Sequence, residues 1–200
     1  MQNNHRERLI AAMAASVEER GYGETTVADV VRIARTSRRT FYEHFHDRAD
    51  CFLALFRTTN DQVMAAIAAS TDASAPWEEQ VDQALGAYLD AVVSRPALYQ
   101  AFVRELPALG ARGAELQLAG VELFARQMVE LVERARRARP GLDAGPLGLD
   151  EAIMVVGGVR ELMVIAAQQG RDVRELRPAM AAVVNAIVRS AVVGGEPVRG

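Results

Sequence analysis

Apolar residues recur every three to four positions along almost the whole chain, which is the spacing of amphipathic α-helices. The first such stretch covers residues 6–21 and ends at Gly21, a residue type that commonly terminates helices. No stretch alternates apolar and polar residues over the length of a strand. The pattern predicts an all-α fold of about nine helices, over these ranges: 6–21, 27–34, 38–44, 48–70, 77–94, 97–107, 113–138, 149–169 and 172–193.

Capping residues and prolines mark several of these boundaries. Thr26 and Asp29 have the spacing of a capping box, in which each side chain accepts a hydrogen bond from a backbone amide at the start of a helix. Asp47 is placed to cap the long helix over 48–70. Pro107 has no amide hydrogen, so we expect it to stop the helix over 97–107.

Positive charge is concentrated in one short stretch. The chain has a formal net charge of −3 and no lysine, yet residues 32–48 hold five arginines against two acids. Guanidinium groups bind phosphates and guanine edges in bidentate fashion. A second run of arginines, at residues 134–139, either complements the C-terminal dipole of its helix or forms a second DNA patch.

Two short helices, over 27–34 and 38–44, are joined by a tight turn and predict a helix-turn-helix, whose second helix enters a major groove. At about 100° per residue, Phe41 and Phe45 share one buried stripe. The side chains that point away from this stripe are those of Arg39, Thr40, Tyr42 and Glu43. The predicted partner is therefore double-stranded DNA, and the alternative is a helical hairpin with a solvated arginine face.

These residues together resemble the tetracycline-repressor (TetR) family of transcriptional regulators. The resemblance covers about residues 9–56 and rests on Thr25-Thr-Val-Ala-Asp-Val-Val31, on Ser37-Arg-Arg-Thr-Phe-Tyr-Glu-His-Phe45, and on Arg48 and Phe52. It implies a homodimer of all-α subunits. Each subunit would have a three-helix DNA-binding domain over 1–47 and a ligand-binding and dimerisation domain over 48–200, which begins with a bridging helix, 48–70.

The resemblance also implies which residues contact DNA. Those that match the family's phosphate-contacting positions are Thr26, Thr40, Tyr42, His44 and Arg48. Those that match its base-facing positions are Ser37, Arg38 and Arg39.

The turn departs from the family pattern, because Ala34-Arg-Thr-Ser37 stands where Ala-Gly-Val-Ser is usual. Glycine permits a positive φ, which a bulkier residue adopts at a cost of roughly 1 kcal/mol. We expect Arg35 to reach the DNA backbone from this position. Arg39 replaces a usual glycine, and Arg48 replaces a usual lysine and keeps its charge. Glu43 either accepts a hydrogen bond from cytosine N4 or orients Arg39 or faces solvent.

Aromatic and methionine side chains stand at helical spacing in the larger domain, and as a group they predict a cavity for a small ligand. The candidates are Met64, Tyr88, Phe102, Phe124 and Met128. For each of them the alternative is ordinary core. From residue 49 onward the net charge is −4. We therefore expect a largely apolar effector that is uncharged or cationic.

The two last predicted helices are apolar on more than one face, notably at residues 153–159 and 179–188. Such helices need a second partner, and Gly157 and Gly158 would let another helix approach closely. The pattern predicts a homodimer with a two-fold, four-helix interface. The alternative is burial within one subunit.

Several classes of protein are not expected. No apolar run reaches the roughly eighteen residues of a membrane span, and the N-terminus lacks the apolar core of a signal peptide. Cys51 is the only cysteine, so an internal disulfide is impossible and a cytoplasmic location is predicted. All three histidines precede residue 50, so the larger domain lacks the ligands of zinc or iron sensors. We expect no metal and no cofactor.

Together these features predict a sequence-specific DNA-binding transcriptional regulator, most simply a repressor that a small hydrophobic ligand releases from its operator. The alternative, suggested by Arg35 and Arg39, is a helical ligand-binding or interaction module with weakened DNA binding. An enzyme is not expected, since the sequence offers no plausible nucleophile–base pair and no metal-ligand spacing.

Overall fold

The computed structural model describes residues 2–139 and 145–190, and these residues form nine α-helices and no strand. The helices are α1 (Gln2–Glu24), α2 (Val27–Ile33), α3 (Arg38–His44), α4 (Arg48–Ser70), α5 (Trp77–Ser94), α6 (Pro96–Ala108), α7 (Ala111–Ala138), α8 (Leu149–Gln168) and α9 (Arg177–Ser190). A short 3-10 helix, Val173–Leu176, precedes α9. The predicted all-α class is confirmed. None of the described helices is long and apolar enough to cross a membrane.

The predicted capping residues act as expected. The Thr26 side chain accepts from the Asp29 amide at 3.2 Å, and the Asp29 carboxylate accepts from the Thr26 amide at 3.1 Å. Asp47 Oδ1 accepts from the Asp50 amide at 2.6 Å at the start of α4. At Gly21 the backbone leaves the helical conformation (φ 80°, ψ 161°), which divides α1 at the predicted end. Local chemistry therefore fixes these boundaries.

Several predicted boundaries differ from the structure by one or more residues, and two of these differences have a clear physical cause. The helix α6 continues past Pro107 to Ala108, because a proline in the last turn removes only one hydrogen bond. The chain then turns at Gly110, which has φ 66°. The helix predicted over 172–193 is divided, because the Asp172 side chain accepts from the Arg174 amide at 2.9 Å and starts a 3-10 turn before α9. Residues 191–193 lie outside the described residues.

The described residues fold into two compact units, the first formed by residues 2–62 and 92–118, and the second by residues 63–91, 119–139 and 145–190. We call them the first unit and the second unit. The predicted division after residue 47 is a division by function, and it stays a prediction.

An aromatic cluster organises the core of the first unit. Phe52 is fully buried, with its ring 4.3 Å from that of Tyr22 and 5.4 Å from that of Phe102. Phe41 of α3 is also fully buried. Burying one such ring contributes about 1.5–3 kcal/mol. This core therefore fixes α3 on the remainder of the first unit and determines which of its faces is exposed.

Apolar packing and ion pairs hold the second unit together. Its core includes Trp77, Val132 and Val188. Arg177 at the start of α9 donates from Nε to the Asp82 carboxylate of α5 at 2.7 Å. Farther along α9, Arg189 lies 2.6 Å from Glu78 of α5. These pairs fasten α9 to α5 within this unit.

Candidate nucleic-acid interface

The helix α3 has one buried face and one exposed face. The rings of Phe41 and Phe45 lie 5.6 Å apart in the core. Arg38 is exposed on the opposite side, as are Arg39 with 90% of its side-chain area and Tyr42 with 59% of its surface. A short exposed helix with cationic and hydrogen-bonding side chains on its outer face fits a major groove.

Two residues with hydroxyl side chains, Ser37 and Thr40, lie at the start of α3. Ser37 is the residue that caps the helix, and its side chain accepts from the Thr40 amide at 3.0 Å. The Ser37 and Thr40 hydroxyl oxygens lie 2.9 Å apart. A helix N-terminus flanked by hydroxyls is well suited to phosphate oxygens. His44, at the other end of α3, is half-buried.

The turn between α2 and α3 is a Schellman motif, a helix ending that requires one residue with positive φ. The Thr36 amide donates to the Val31 carbonyl at 3.0 Å, and the Arg35 amide donates to the Arg32 carbonyl at 3.2 Å. Arg35 holds the positive φ, 50°, at the position where glycine is usual in this motif. Its side chain is exposed. The turn thus has its regular hydrogen bonds although it lacks the glycine.

Two predicted phosphate-contacting residues also make hydrogen bonds within the first unit. The Thr26 hydroxyl donates to the Asp29 carboxylate at 2.6 Å. Arg48 Nη1 donates to the carbonyls of Tyr22, Gly23 and Thr25 at 2.5–3.2 Å. The Arg48 guanidinium therefore caps the carbonyls at the C-terminal end of α1, a role that the sequence pattern did not reveal.

Two groups near these contacts have shifted pKa values. The hydrogen bonds that Asp29 accepts from the Thr26 side chain and backbone lower the pKa of its carboxyl group. Burial raises the pKa of the Tyr22 phenol, and the charge of Arg48, whose Cζ lies 4.2 Å from the Tyr22 ring centroid, opposes that rise. Both groups keep their usual charge states near neutral pH.

The predicted ligand-binding residues fall into both units. Met64, Tyr88, Phe124 and Met128 belong to the second unit, where the rings of Tyr88 and Phe124 meet edge to face at 5.7 Å. Phe102 belongs to the first unit, where it is buried with its ring 5.1 Å from that of Phe56. A role of these five residues in ligand binding stays a prediction.

Sequence reasoning missed one polar residue of the second unit. Arg160 of α8 is half-buried, and its Nε is buried without a hydrogen-bond partner among the described residues. An unpaired buried donor is costly, so Arg160 is a candidate for contact with a bound group. The available signal in the sequence was the position of Arg160 directly after an apolar segment, residues 153–159.

Large apolar side chains are exposed on α8 and α9. Met154 exposes 73% of its surface, Ile165 40% and Val183 54%. At Gly158 an added Cβ would meet no atom within 4 Å, so the space above this glycine is open. Burial of such side chains against a partner would be favourable, so this surface is a candidate interface. The described residues include no group of three or more His, Cys, Asp or Glu side chains that could hold a metal ion.

The sequence profile described as "Bacterial regulatory proteins, tetR family" matches residues 9–55, which include α2, α3 and the turn between them. Among curated proteins, none matches the chain significantly.

Solved structures share the fold at low sequence identity. A TetR-family transcriptional regulator from Syntrophomonas wolfei has 12% identity and a TM-score of 0.75, with 100% of each chain covered. The fatty acid degradation regulator FadR from Bacillus halodurans has 17% identity and a TM-score of 0.70 over 90% of this chain and 93% of its own. FadR from Bacillus subtilis, in complex with stearoyl-CoA, has 14% identity and a TM-score of 0.71 over 92% and 98%.

Proposed function

From the premise that the chain belongs to the TetR family of bacterial regulatory proteins, we propose that it is a repressor that a small molecule releases from its operator. It is a DNA-binding transcriptional regulator, and its function is binding rather than catalysis. Since an operator is chromosomal DNA, we place its action in the cytoplasm.

The exposed face of α3 carries this proposal. Phe41 and Phe45 are fixed in the core, so Arg38, Arg39 and Tyr42 are held on the outer surface. The N-terminal turn of α3 meets base edges and the flanking groups meet phosphates in helix-turn-helix proteins. We assign base contacts to Ser37, Arg38 and Arg39. Phosphate contacts are assigned to Thr26, Arg35, Thr40, Tyr42, His44 and Arg48.

A mobility-shift assay tests the DNA-binding role. The probe is the DNA upstream of the protein's own gene, and unrelated DNA of equal length is the competitor. We expect a specific complex at about 10⁻⁸–10⁻¹¹ M protein and physiological salt. An Arg126→Ala variant is a suitable control, because Arg126 is exposed on α7, where it forms an ion pair with Glu122 at 3.8 Å.

The alternative function is a helical ligand-binding or interaction module with weakened DNA binding. Binding that is equally weak for the upstream and unrelated DNA, even at low salt, would favour this alternative. The regular hydrogen bonds around Arg35 speak for an intact turn and hence for the repressor.

We propose further that the protein is a homodimer joined through α8 and α9. The exposure of Met154, Ile165 and Val183 supports this arrangement, because burial of these side chains in a two-fold interface would be favourable. A dimer also supplies two α3 helices. These read successive major grooves when they lie about 34–36 Å apart.

The effector is proposed to be a largely apolar small molecule that contacts some of Met64, Tyr88, Phe102, Phe124 and Met128. It releases DNA only if it binds more tightly to a dimer whose α3 helices have the wrong spacing. We propose an uncharged or cationic effector. Several arginines of the second unit, among them Arg177 and Arg189, are paired with acids.

A second candidate effector is a long-chain acyl thioester. The buried Nε of Arg160 favours an anionic group, and the similar FadR structure from Bacillus subtilis contains stearoyl-CoA. Thermal-shift measurements with hydrophobic cations, neutral aromatics and acyl thioesters distinguish the two classes. Stabilisation by the thioesters alone would reject the uncharged or cationic class.

The same measurements with operator DNA present test the release mechanism. Coupling between two ligands is reciprocal, so a releasing effector binds more weakly to the DNA complex than to the free protein. An effector whose stabilisation is unchanged by operator would exclude the release mechanism.

A further inference from the structure

Arg8, on the exposed surface of α1, makes contact with the turn of the helix-turn-helix. Its Nη2 donates to the carbonyl of Ala34 and, at 3.2 Å, to the carbonyl of Arg35. These residues are 26 and 27 positions away in the chain. Arg8 is not among the residues that the sequence predicts to contact DNA. Its hydrogen bonds are made to the protein backbone.

The two carbonyls need such a donor. The last carbonyls of a helix have no partner within the helix, and an arginine that bonds them also complements the helix dipole. Here they follow the C-terminus of α2, where the backbone amides of Arg35 and Thr36 are already used by the Schellman hydrogen bonds. Arg8 therefore supplies the donor that the turn itself cannot.

The need is larger in this chain because Arg35 stands where the motif usually has glycine. A side chain at φ 50° strains the backbone, and a strained conformation persists only when its surroundings hold it. The turn is followed directly by Ser37, which caps α3. A change of the backbone angles at Arg35 would therefore rotate the start of α3.

We propose that Arg8 is a positioning residue for DNA binding. Its guanidinium holds the carbonyls of Ala34 and Arg35, stabilises the positive φ of Arg35, and so orients α3. The inference rests on the proposed DNA contacts of α3. It differs from a direct phosphate contact by Arg8, which would add affinity whatever residue occupied position 35.

A double-mutant cycle tests the proposal. The variants are Arg8→Ala, Arg35→Gly and the two combined, and the measurement is the affinity of the full chain for its upstream DNA by fluorescence anisotropy at several salt concentrations. We expect Arg8→Ala to weaken binding about tenfold when residue 35 is arginine, since hydrogen bonds to a charged donor are strong. With glycine at position 35 the same change should weaken binding by less than about twofold.

Two further readouts separate positioning from DNA contact. The dependence of log affinity on log salt should keep its slope in Arg8→Ala, whereas loss of a phosphate contact would reduce it by about 0.9. In the absence of DNA, amide hydrogen exchange in residues 36–40 should accelerate in Arg8→Ala and return toward the wild-type rate in the double variant. The control is Arg57→Ala, which removes the same charge from an exposed position of α4. It should change neither the salt slope nor the hydrogen exchange of residues 36–40.

Equal losses of affinity in both backgrounds, a reduced salt slope, or unchanged hydrogen exchange would overturn the positioning role. If Arg8→Ala proves unstable, Arg8→Lys and Arg8→Gln replace it in the double-mutant cycle. The lysine variant should then bind DNA more tightly than the glutamine variant. A wild-type protein that binds no DNA would instead overturn the proposed function. In that case only the exchange rates would still report whether Arg8 holds the turn.

Discussion

Arg39 and Glu43 form an ion pair along the outer face of α3, with Arg39 Nε 3.1 Å from Glu43 Oε1. Both side chains are largely exposed, at 90% and 54%, so the pair adds little to stability. Its consequence is orientation, because it directs the guanidinium of Arg39 along the helix face. A hydrogen bond from cytosine N4 to Glu43 stays a prediction.

Arg39→Ala should relax sequence specificity at one or two base pairs. A bidentate arginine–base contact discriminates by about 1–3 kcal/mol per base pair, and this alanine variant loses that contact while α3 keeps its buried face. Binding-site selection from a random DNA library measures the change. An unchanged preferred sequence would show that Arg39 does not read bases.

Tyr42→Phe should weaken binding to all DNA sequences by a similar factor. Tyr42 exposes 59% of its surface, and the loss of a phenolic hydrogen bond to phosphate carries no sequence information. Affinities for the operator and for two unrelated duplexes measure the effect. A loss confined to the operator would mean that the hydroxyl contacts a base.

Gly158→Leu should give folded monomers. The space above Gly158 is open within the protomer, so leucine fits the isolated subunit but prevents close approach of a second helix. Analytical ultracentrifugation measures the assembly, and circular dichroism checks the fold. Ala167→Leu is the control, because Ala167 is exposed about 180° around α8 from Gly158. A wild-type monomer at micromolar concentration would reject the dimer.

Gly113→Ala should destabilise the first unit. A Cβ at this position would lie 1.9 Å from the carbonyl oxygen of Leu106, and backbone cannot move aside as a flexible side chain can. The clash should cost about 1–3 kcal/mol or more, which exceeds the gain of about 1 kcal/mol from better helix propensity. Urea unfolding measures the difference. Gly23→Ala, where a Cβ would meet nothing within 4 Å, should not lower stability.

Cys51 should resist alkylation in the native protein. The side chain is fully buried, and burial raises the pKa of its thiol to about 12, so the reactive thiolate is absent at pH 8. Mass spectrometry after iodoacetamide treatment should find modification only when urea unfolds the chain. Rapid native modification would show that the core around Cys51 opens readily.

The raised pKa of Cys51 also makes the stability of the protein depend on pH. The folded pKa is raised above the unfolded value of about 8.5, so the contribution is complete below that pH and is lost as the pH rises toward 12. A Cys51→Ala variant lacks this titration. Its free energy of unfolding should therefore fall less than that of the wild type over the alkaline range.

Local signals in the sequence were sufficient to predict the presence of the helices and of the helix-turn-helix. The capping box of Thr26 and Asp29 and the spacing of Phe41 and Phe45 act within one turn of helix, where side chain and backbone are neighbours in the chain. The boundaries of α3, α4 and α5 could therefore be predicted to the residue. The sequence also showed that α8 and α9 carry apolar residues on more than one face.

Only the tertiary structure decided the contacts between residues far apart in the chain. Arg48 bonds the carbonyls at the end of α1, Arg8 bonds the turn beyond α2, and Phe102 packs on Phe52 in the first unit. No periodicity encodes these pairings, because each depends on how separate helices pack and on which backbone carbonyls that packing leaves without a donor. For the same reason the sequence predicted α3 as the helix that reads DNA but not the arginine that we propose holds it in place.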